Sequence, residues 1–283
     1  MARDFLNRMC HAEFRLYIRL FLSLLLRFCY HVLMFSLVDT HIHLDAPELK
    51  GYGLDLLPRA LQGGISRFIV PGVRVSGWGG MSALAENSES VYLAPGLHPV
   101  YADQWNSQAE QTLLEIVQQR KVVAIGEIGL DAVDGPSMKQ QEKVLKAQLQ
   151  IALEMNLPVL MHSRQTTGKL LDVLRECGIG RKTGGIWHAF TSSLPVAEEL
   201  VDMGFKIGVG PILLRENARK LPQAVKALPA SALVLETDLP DMAEKPEVLL
   251  QVAEKIAELR GCPVREVAEF TTENAEQLFR FQD

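Results

Sequence analysis

One pattern repeats along the chain from Ser36 onward: a short apolar run, a turn and an amphipathic stretch of helical length. It occurs eight times within 283 residues. The predicted strands are 37–40, 67–71, 91–96, 122–128, 158–162, 185–189, 205–209 and 232–236. The predicted helices are 54–63, 78–89, 107–120, 138–156, 166–177, 194–203, 216–227 and 244–260. Strands that alternate with helices form a parallel sheet, and eight such strands close a barrel.

An open, doubly wound sheet is the alternative topology for this pattern. No G-x-G-x-x-G motif or Walker P-loop follows any predicted strand, which removes the commonest reason to prefer that topology. A hydrophobic content of 48% with 22% charged residues excludes a disordered chain. The sequence therefore predicts an α/β protein with a single (β/α)8 TIM barrel domain over 34–283, in which the last 20 residues form a helical tail that covers the barrel.

An apolar N-terminal extension, residues 1–33, precedes the barrel. A membrane span is disfavoured because Arg15, Arg19 and Arg27 interrupt the apolar stretch, and each charge at bilayer depth costs about 2.5–3.5 kcal/mol. Two interpretations stay open. The arginines share one helical face, as in an amphipathic helix at a membrane surface. Alternatively, residues 1–33 are upstream sequence that is read from a misplaced start codon, since the segment that begins at Met34 can start the domain by itself.

Charge and cysteine content exclude further classes of protein. The net charge is −5, so no global basic field attracts nucleic acid, although a local basic patch is compatible with this value. The four cysteines form no CxxC pair, which excludes a disulfide scaffold and a cysteine-type zinc site. This cysteine usage predicts a cytoplasmic protein. No stable membrane partner is expected, because the arginines disfavour a membrane span.

Ionisable side chains collect at one end of the predicted strands. Of the seven histidines, five lie where a predicted strand ends, as do one glutamate and one aspartate. These residues are His41, His43, His98, His162, His188, Glu127 and Asp238. Barrel active sites lie at this face, and burying carboxylates together with imidazoles is costly without a cation. The sequence therefore predicts a metal site.

The ligand types limit the metal. His41 and His43 are two residues apart, so an extended segment points both side chains to the same side. Imidazole and carboxylate ligands without thiolate suit zinc, manganese or magnesium.

Six short motifs occur in an order that resembles the TatD family of metal-dependent hydrolases. They are Asp-Thr-His-x-His (39–43), Gly-Leu-His-Pro (96–99), Gly-Glu-Ile-Gly-Leu-Asp (126–131), His-Ser-Arg (162–164), His-x-Phe (188–190) and Glu-Thr-Asp-x-Pro (236–240). The resemblance covers about 34–282, and the sequence of 236–242 is similar to that of the family's YjjV-like branch. It implies an amidohydrolase-like barrel, and the family's characterised members are deoxyribonucleases.

The resemblance also implies a centre of two divalent ions, with Mg, Mn and Zn as the candidates. His41, His43 and Asp238 match the ligands of the first ion, and Glu127 matches the carboxylate that bridges both ions. Two further histidines, His162 and His188, match the ligands of the second ion.

Four side chains receive further roles. Asp238 is placed to act as general base as well as ligand, and with Glu127 it forms the predicted catalytic pair. His98 is expected to contact the substrate phosphate, and Arg164 can pair with a phosphate through its planar guanidinium. A surface ion pair is the alternative for Arg164.

The function expected from these residues is hydrolysis of DNA by a water activated between two metal ions. Two alternatives stay open. The same ligands would serve a hydrolase of a small amide, lactone or phosphoester, because the fold does not fix the substrate. A non-catalytic, metal-stabilised binding protein is the other alternative, although it would have no need of a base at Asp238. The partner is thus DNA or another phosphoester substrate, and the oligomeric state is open.

Overall fold

A computed structural model describes residues 36–49 and 53–281. The strands are β1 Leu37–Asp39, β2 Ile65–Pro71, β3 Val91–Ala94, β4 Ile125–Asp131, β5 Val159–Arg164, β6 Gly185–Trp187, β7 Phe205–Val209 and β8 Leu233–Leu235. The helices are α1 Gly53–Gln62, α2 Trp78–Glu86, α3 Ser107–Ile116, α4 Met138–Met155, α5 Thr167–Cys177, α6 Leu194–Asp202, α7 Lys220–Ala227, α8 Val248–Arg260 and α9 Val264–Phe279.

The N-terminal extension, 1–33, lies outside the described residues, so both of its interpretations stay predictions. Within the described part of the chain, no helix is both long and apolar enough to cross a membrane.

The strands close into a barrel. Parallel pairing joins β1, β2 and β3 in one group and β4 to β8 in another. A bridge between Leu93 and Val122 links the groups on one side. On the other side the Thr40 N–H donates to the Leu235 carbonyl at 2.9 Å, which joins β1 to β8. The predicted barrel is confirmed, and the open sheet is excluded.

Alternate residues of each strand pack into two separate apolar clusters, as the two-residue period of a strand requires. One cluster lies between the strands and the surrounding helices. The other fills the barrel interior with Val38, Ile69, Leu160 and their neighbours, and Phe279 of α9 packs against it. The helical tail therefore covers the barrel from the end where the strands begin, which agrees with its prediction.

Two strands extend beyond their predicted ends. The sequence placed Glu127 and His162 at or next to strand ends, whereas β4 continues to Asp131 and β5 to Arg164. The reason is main-chain pairing, which runs on through Gly129 opposite His162 and Asp131 opposite Arg164. Such pairing does not depend on apolar side chains, so an apolar pattern does not detect it.

Two helices begin later than predicted. α7 starts at Lys220 rather than at 216, and its first turn accommodates Pro222. α8 starts at Val248 rather than at 244, directly after Pro246 and Glu247. Both differences lie in loops at the face that carries the predicted ligands.

Two buried glutamines of α4 hold the loops that follow β3 and β4. The Gln148 side chain accepts from the Leu97 N–H at 2.7 Å and donates to the Leu97 carbonyl at 3.1 Å. Seven residues earlier on the same helix face, the Gln141 side chain makes the same pair of bonds to the main chain of Asp131 at 2.8 and 2.9 Å. Each glutamine thus fixes a loop next to a predicted site residue.

We expect Gln148→Met to lower the free energy of unfolding by about 2–4 kcal/mol, because it leaves the buried N–H and carbonyl of Leu97 without partners. Urea unfolding measures the change. The matched control is Gln150→Met, since Gln150 lies exposed on the same helix and should change stability by less than about 0.5 kcal/mol. Equal effects of the two substitutions would contradict the role given to Gln148.

Candidate metal centre

A cavity of about 380 Å³ opens at the carboxyl ends of the strands. Six of the seven ionisable residues predicted at this face line it: His43, His98, Glu127, His162, His188 and Asp238. The seventh, His41, is fully buried and contacts this group. The structure therefore brings together all the side chains that the sequence placed at the metal site.

Two carboxylates lie close to the same pair of histidine nitrogens. The Nε2 atoms of His41 and His43 lie 3.2 Å apart. Glu127 Oε2 lies 3.3 Å from the first of these nitrogens and 3.8 Å from the second. Asp238 Oδ1 completes the group, at 3.8 and 3.4 Å from the same two nitrogens.

These separations fit a bound ion. A tetrahedral ion with ligand bonds of about 2.1 Å holds its ligand atoms roughly 3.4 Å apart. Two imidazole nitrogens that face each other cannot both carry a proton, so at least one offers a lone pair. The Nδ1 atoms of His41 and His43 are buried without a hydrogen-bond partner among the described residues. The donor set and its spacing therefore suit a divalent cation.

The second oxygen of Glu127 faces a different set of nitrogens. Its Oε1 lies 2.8 Å from His162 Nδ1 and 3.7 Å from His98 Nε2. The two oxygens of one carboxylate thus face different ligand candidates, with His41 and His43 near Oε2 and His162 near Oε1. This is the arrangement expected of a carboxylate that bridges two ions.

His188 lies nearer to the first group than to the second. Its Nε2 is 3.4 Å from Asp238 Oδ2, and its ring stacks on that of His41 with 3.6 Å between centroids. One set of candidate ligand atoms within 4.8 Å of one another comes from His188, His41 and Asp238. Another such set comes from His162, Glu127 and His98. The assignment of His188 to the second ion therefore stays a prediction.

The tautomer of His98 favours a substrate contact over ligation. Its Nδ1 accepts a hydrogen bond from the Val100 N–H at 3.3 Å, so a neutral ring carries its proton on Nε2. Burial lowers the pKa of His98 to about 4, which keeps the ring neutral. A protonated Nε2 is a hydrogen-bond donor, and it points towards the metal cluster. The predicted contact with a substrate phosphate fits this geometry.

Arg164 is already paired within the protein. Its Nη1 donates to Asp134 Oδ2 at 2.7 Å, in an exposed ion pair at the cavity wall. A phosphate would have to share or displace this partner. The surface ion pair that the sequence left as the alternative is therefore present.

Burial and neighbouring charges perturb the pKa values of the cluster. Burial raises the pKa of Glu127, but the adjacent His41 and His162 outweigh it and hold the pKa well below its usual range. Burial lowers the pKa of His162, yet its contacts with Asp131 and Glu127 raise it to about 9. The pKa of His188 is likewise raised, against burial, by Glu236 and Asp238. Protons on His162 and His188 thus compensate the negative charge of the neighbouring carboxylates. A divalent cation can compensate the same charge instead.

Two carboxylates behind the histidines were given no role from the sequence. Asp131 Oδ2 lies 3.2 Å from His162 Nε2. Glu236 accepts from the Ala189 N–H at 2.7 Å through Oε1, and its Oε2 lies 3.2 Å from His188 Nδ1. Space for Glu236 exists because residue 208 is glycine: a Cβ there would lie 2.3 Å from the Glu236 carboxylate. Such outer carboxylates orient ligating histidines.

Residues 38–280 match the family model described as TatD related DNase. The chain belongs to this family. It is 37% identical over 253 residues to the YjjV protein of Escherichia coli strain K12, named an uncharacterized metal-dependent hydrolase, with 86% of this chain and 97% of that protein covered. The TatD-family chain is also 31% identical over 255 residues to a protein of Citrobacter koseri named 3′-5′ ssDNA/RNA exonuclease TatD, at coverages of 85% and 98%.

A solved structure supports the same relation. The crystal structure of YjjV, a TatD homolog from Escherichia coli K12, superposes with a TM-score of 0.81 at 36% identity, covering 87% of this chain and 98% of that one. The predicted family and amidohydrolase-like barrel are confirmed. This TatD-family chain is therefore a metal-dependent hydrolase, and the individual ligand roles stay predictions.

Glu127→Ala tests the bridge. We expect it to weaken binding at both metal positions by at least about 100-fold, beyond the effect usual for an outer residue, because each position loses one oxygen of the shared carboxylate. Titration with Mn²⁺ followed by metal analysis gives the stoichiometry and the affinities. If one position keeps its parental affinity, Glu127 does not bridge.

Glu236→Gln tests the orientation of His188. The amide oxygen can still accept from the Ala189 N–H, but the amide NH₂ then faces His188 Nδ1 and moves the ring proton to Nε2. We expect metal affinity to fall about 10–100-fold at the position that His188 serves, measured by the same Mn²⁺ titration. Glu244→Gln, on the exposed loop after β8, is the matched control and should keep parental affinity. Parental affinity in Glu236→Gln would contradict this role.

Proposed function

We propose that this hydrolase is a deoxyribonuclease that cleaves phosphodiester bonds of single-stranded DNA at a centre of two divalent ions. The observation that carries the proposal is Glu127, whose Oε2 faces His41 and whose Oε1 faces His162. The Citrobacter koseri relative is named an exonuclease of single-stranded DNA and RNA, which supports the choice of substrate.

His41, His43 and Asp238 would hold one ion together with Glu127, which would also hold the second with His162 and His188. Bound ions of this kind polarise a phosphodiester and lower the pKa of a coordinated water. Asp238 is ionised, since His188 and the other neighbouring imidazoles hold its pKa below the usual range against the effect of burial. As general base, this carboxylate would accept the proton that the attacking water loses.

His98 and the cavity wall position the substrate. The protonated Nε2 of His98 can donate to a non-bridging phosphate oxygen. Arg215 also lines the cavity, and its guanidinium has no ion-pair partner among the described side chains. It is therefore better placed than Arg164 to meet a phosphate, because Arg164 is engaged with Asp134.

Hydrolysis of labelled single-stranded DNA tests the proposal. The protein is stripped with a chelator and assayed after Mg²⁺, Mn²⁺ or Zn²⁺ is added back. We expect cleavage only with an added ion, and faster cleavage of single strands than of duplex. Metal-dependent hydrolysis of small amides, lactones or phosphoesters without cleavage of DNA would instead support the small-molecule alternative.

We further infer a cytoplasmic location. Cys177 and Cys262 are both free thiols in the structure. Unpaired cysteines suit a reducing compartment. Fractionation of cells that express the tagged protein tests this inference.

Asp238→Asn separates proton transfer from metal binding. Asp238 has a φ of 50°, a left-handed conformation that asparagine tolerates well, so the backbone should persist. We expect single-turnover DNA cleavage to slow by about 10²–10⁴, with the ion at Glu127 and His162 still bound. Asp202→Asn, on the exposed end of α6, is the control. A rate within about tenfold of the parent would show that another group takes the proton.

A further inference from the structure

A second cavity, of about 320 Å³, opens beside the metal centre at the loops that follow β6 and β7. The residues that line this cavity include Thr191, Ile212, Arg215, Asn217, Arg219 and Lys220. We call the cavity the basic groove. Thr191, Ile212 and Arg215 also line the metal-centre cavity. The basic groove is therefore continuous with the metal centre.

Every charged side chain that lines the basic groove is a cation. Arg215 and Lys220 make no hydrogen bond or ion pair through their side chains within the described ranges 36–49 and 53–281. Arg219 donates only to the main-chain carbonyls of Glu216 and Ala218, at 2.8 and 3.2 Å. Three cations without acidic partners, next to a hydrolytic centre, are available to an external anion.

The opposite wall of the metal centre has the reverse charge. There, a cavity shared with His43 is lined, among the residues that the structure describes, by Asp45, Glu48 and Asp241 against a single cation, Arg74. Its lining comes largely from loops after β1, β2 and β3, which face β6 and β7 across a ring of eight strands. A polyanionic chain that crosses the centre therefore meets repulsion on one side and attraction on the other.

We propose that the basic groove binds the phosphates of the substrate strand on one side of the cleaved bond. The inference rests on the proposed nuclease function and specifies how a long single strand lies in the site. The long arm of the strand occupies the basic groove, where its phosphates pair with Arg215, Arg219 and Lys220. The short arm of the strand, on the other side of the cleaved bond, lies towards the cavity that is lined by Asp45, Glu48 and Asp241.

The test compares two substrates in the full-length, metal-loaded protein. Thymidylyl-thymidine has one phosphodiester and cannot reach far along the groove, whereas a single-stranded dT12 can. The substitution is Arg219→Ala with Lys220→Ala, which lie outside the metal-centre cavity. The readout is kcat/KM for each substrate between 50 and 200 mM KCl.

We expect the double substitution to lower the advantage of dT12 over the dinucleotide. Each phosphate contact on a single strand contributes about 0.7 to the slope of log affinity against log salt, so two lost contacts reduce that slope by about 1.4. Over this fourfold range of salt, the parent should then lose about sevenfold more activity on dT12 than the variant loses.

The chain offers a matched control. Arg181 and Lys182 form another exposed Arg-Lys pair, on the loop before β6 at the far end of the barrel. Arg181→Ala with Lys182→Ala changes the net charge equally and should leave the salt slope on dT12 as in the parent. Arg219→Lys with Lys220→Arg keeps both charges and should also retain the parental slope, which separates charge from shape.

Each outcome decides the inference. A lower slope and a lower dT12 advantage in the Arg219/Lys220 variant alone supports it. Equal effects of the two alanine pairs, or no effect of either pair, would overturn the inference that the basic groove binds the strand. The proposed function would still hold in that case, provided that the parent cleaves DNA. If the metal-loaded parent cleaves neither substrate, the proposed function fails, and the inference fails with it.

Discussion

The metal centre depends on the seam where β1 meets β8. At this seam Thr40 donates twice to the Leu235 carbonyl, through its N–H and its hydroxyl, both at 2.9 Å. Asp39 in turn accepts from the N–H and the hydroxyl of Thr237 at 2.9 and 2.6 Å. Burial raises the pKa of Asp39 to about 7 in spite of these bonds. The seam thus joins segments nearly 200 residues apart and places the two histidines after β1 beside Asp238.

The same seam sets the direction of the Asp238 side chain. The Asp238 N–H donates to the His41 carbonyl at 2.9 Å, and the residue adopts its left-handed conformation at this point. Its two oxygens consequently face different histidines, with Oδ1 towards His43 and Oδ2 towards His188. Main-chain hydrogen bonds at the seam therefore help to hold the ligand atoms close together, which reduces the ordering cost of binding an ion.

The barrel could be predicted from the sequence because burial of one face of a strand or helix requires a periodic pattern of apolar residues. Each strand and helix buries one face, so every strand and helix was found, with the largest differences at the ends of β4, α2, α3, α7 and α8. The site residues were found because carboxyl ends of parallel strands meet at one face. Asp131 and Glu236 were missed since their contacts join residues far apart in sequence. A signal for Glu236 was present, however: it lies two residues before Asp238, the spacing that puts strand side chains on one side.

The charge distribution bears on how an acidic protein could act on DNA, the substrate proposed above. A net charge of −5 opposes non-specific association with DNA over most of the surface. The cations of the basic groove oppose that repulsion beside the metal centre, where three positive side chains without an ion-pair partner among the described residues line one cavity. Low local dielectric in a cleft strengthens such a field, and salt weakens it. A strand would therefore be attracted chiefly along the one path that leads to the metal centre, which favours entry from the β6–β7 side over random contact with the barrel.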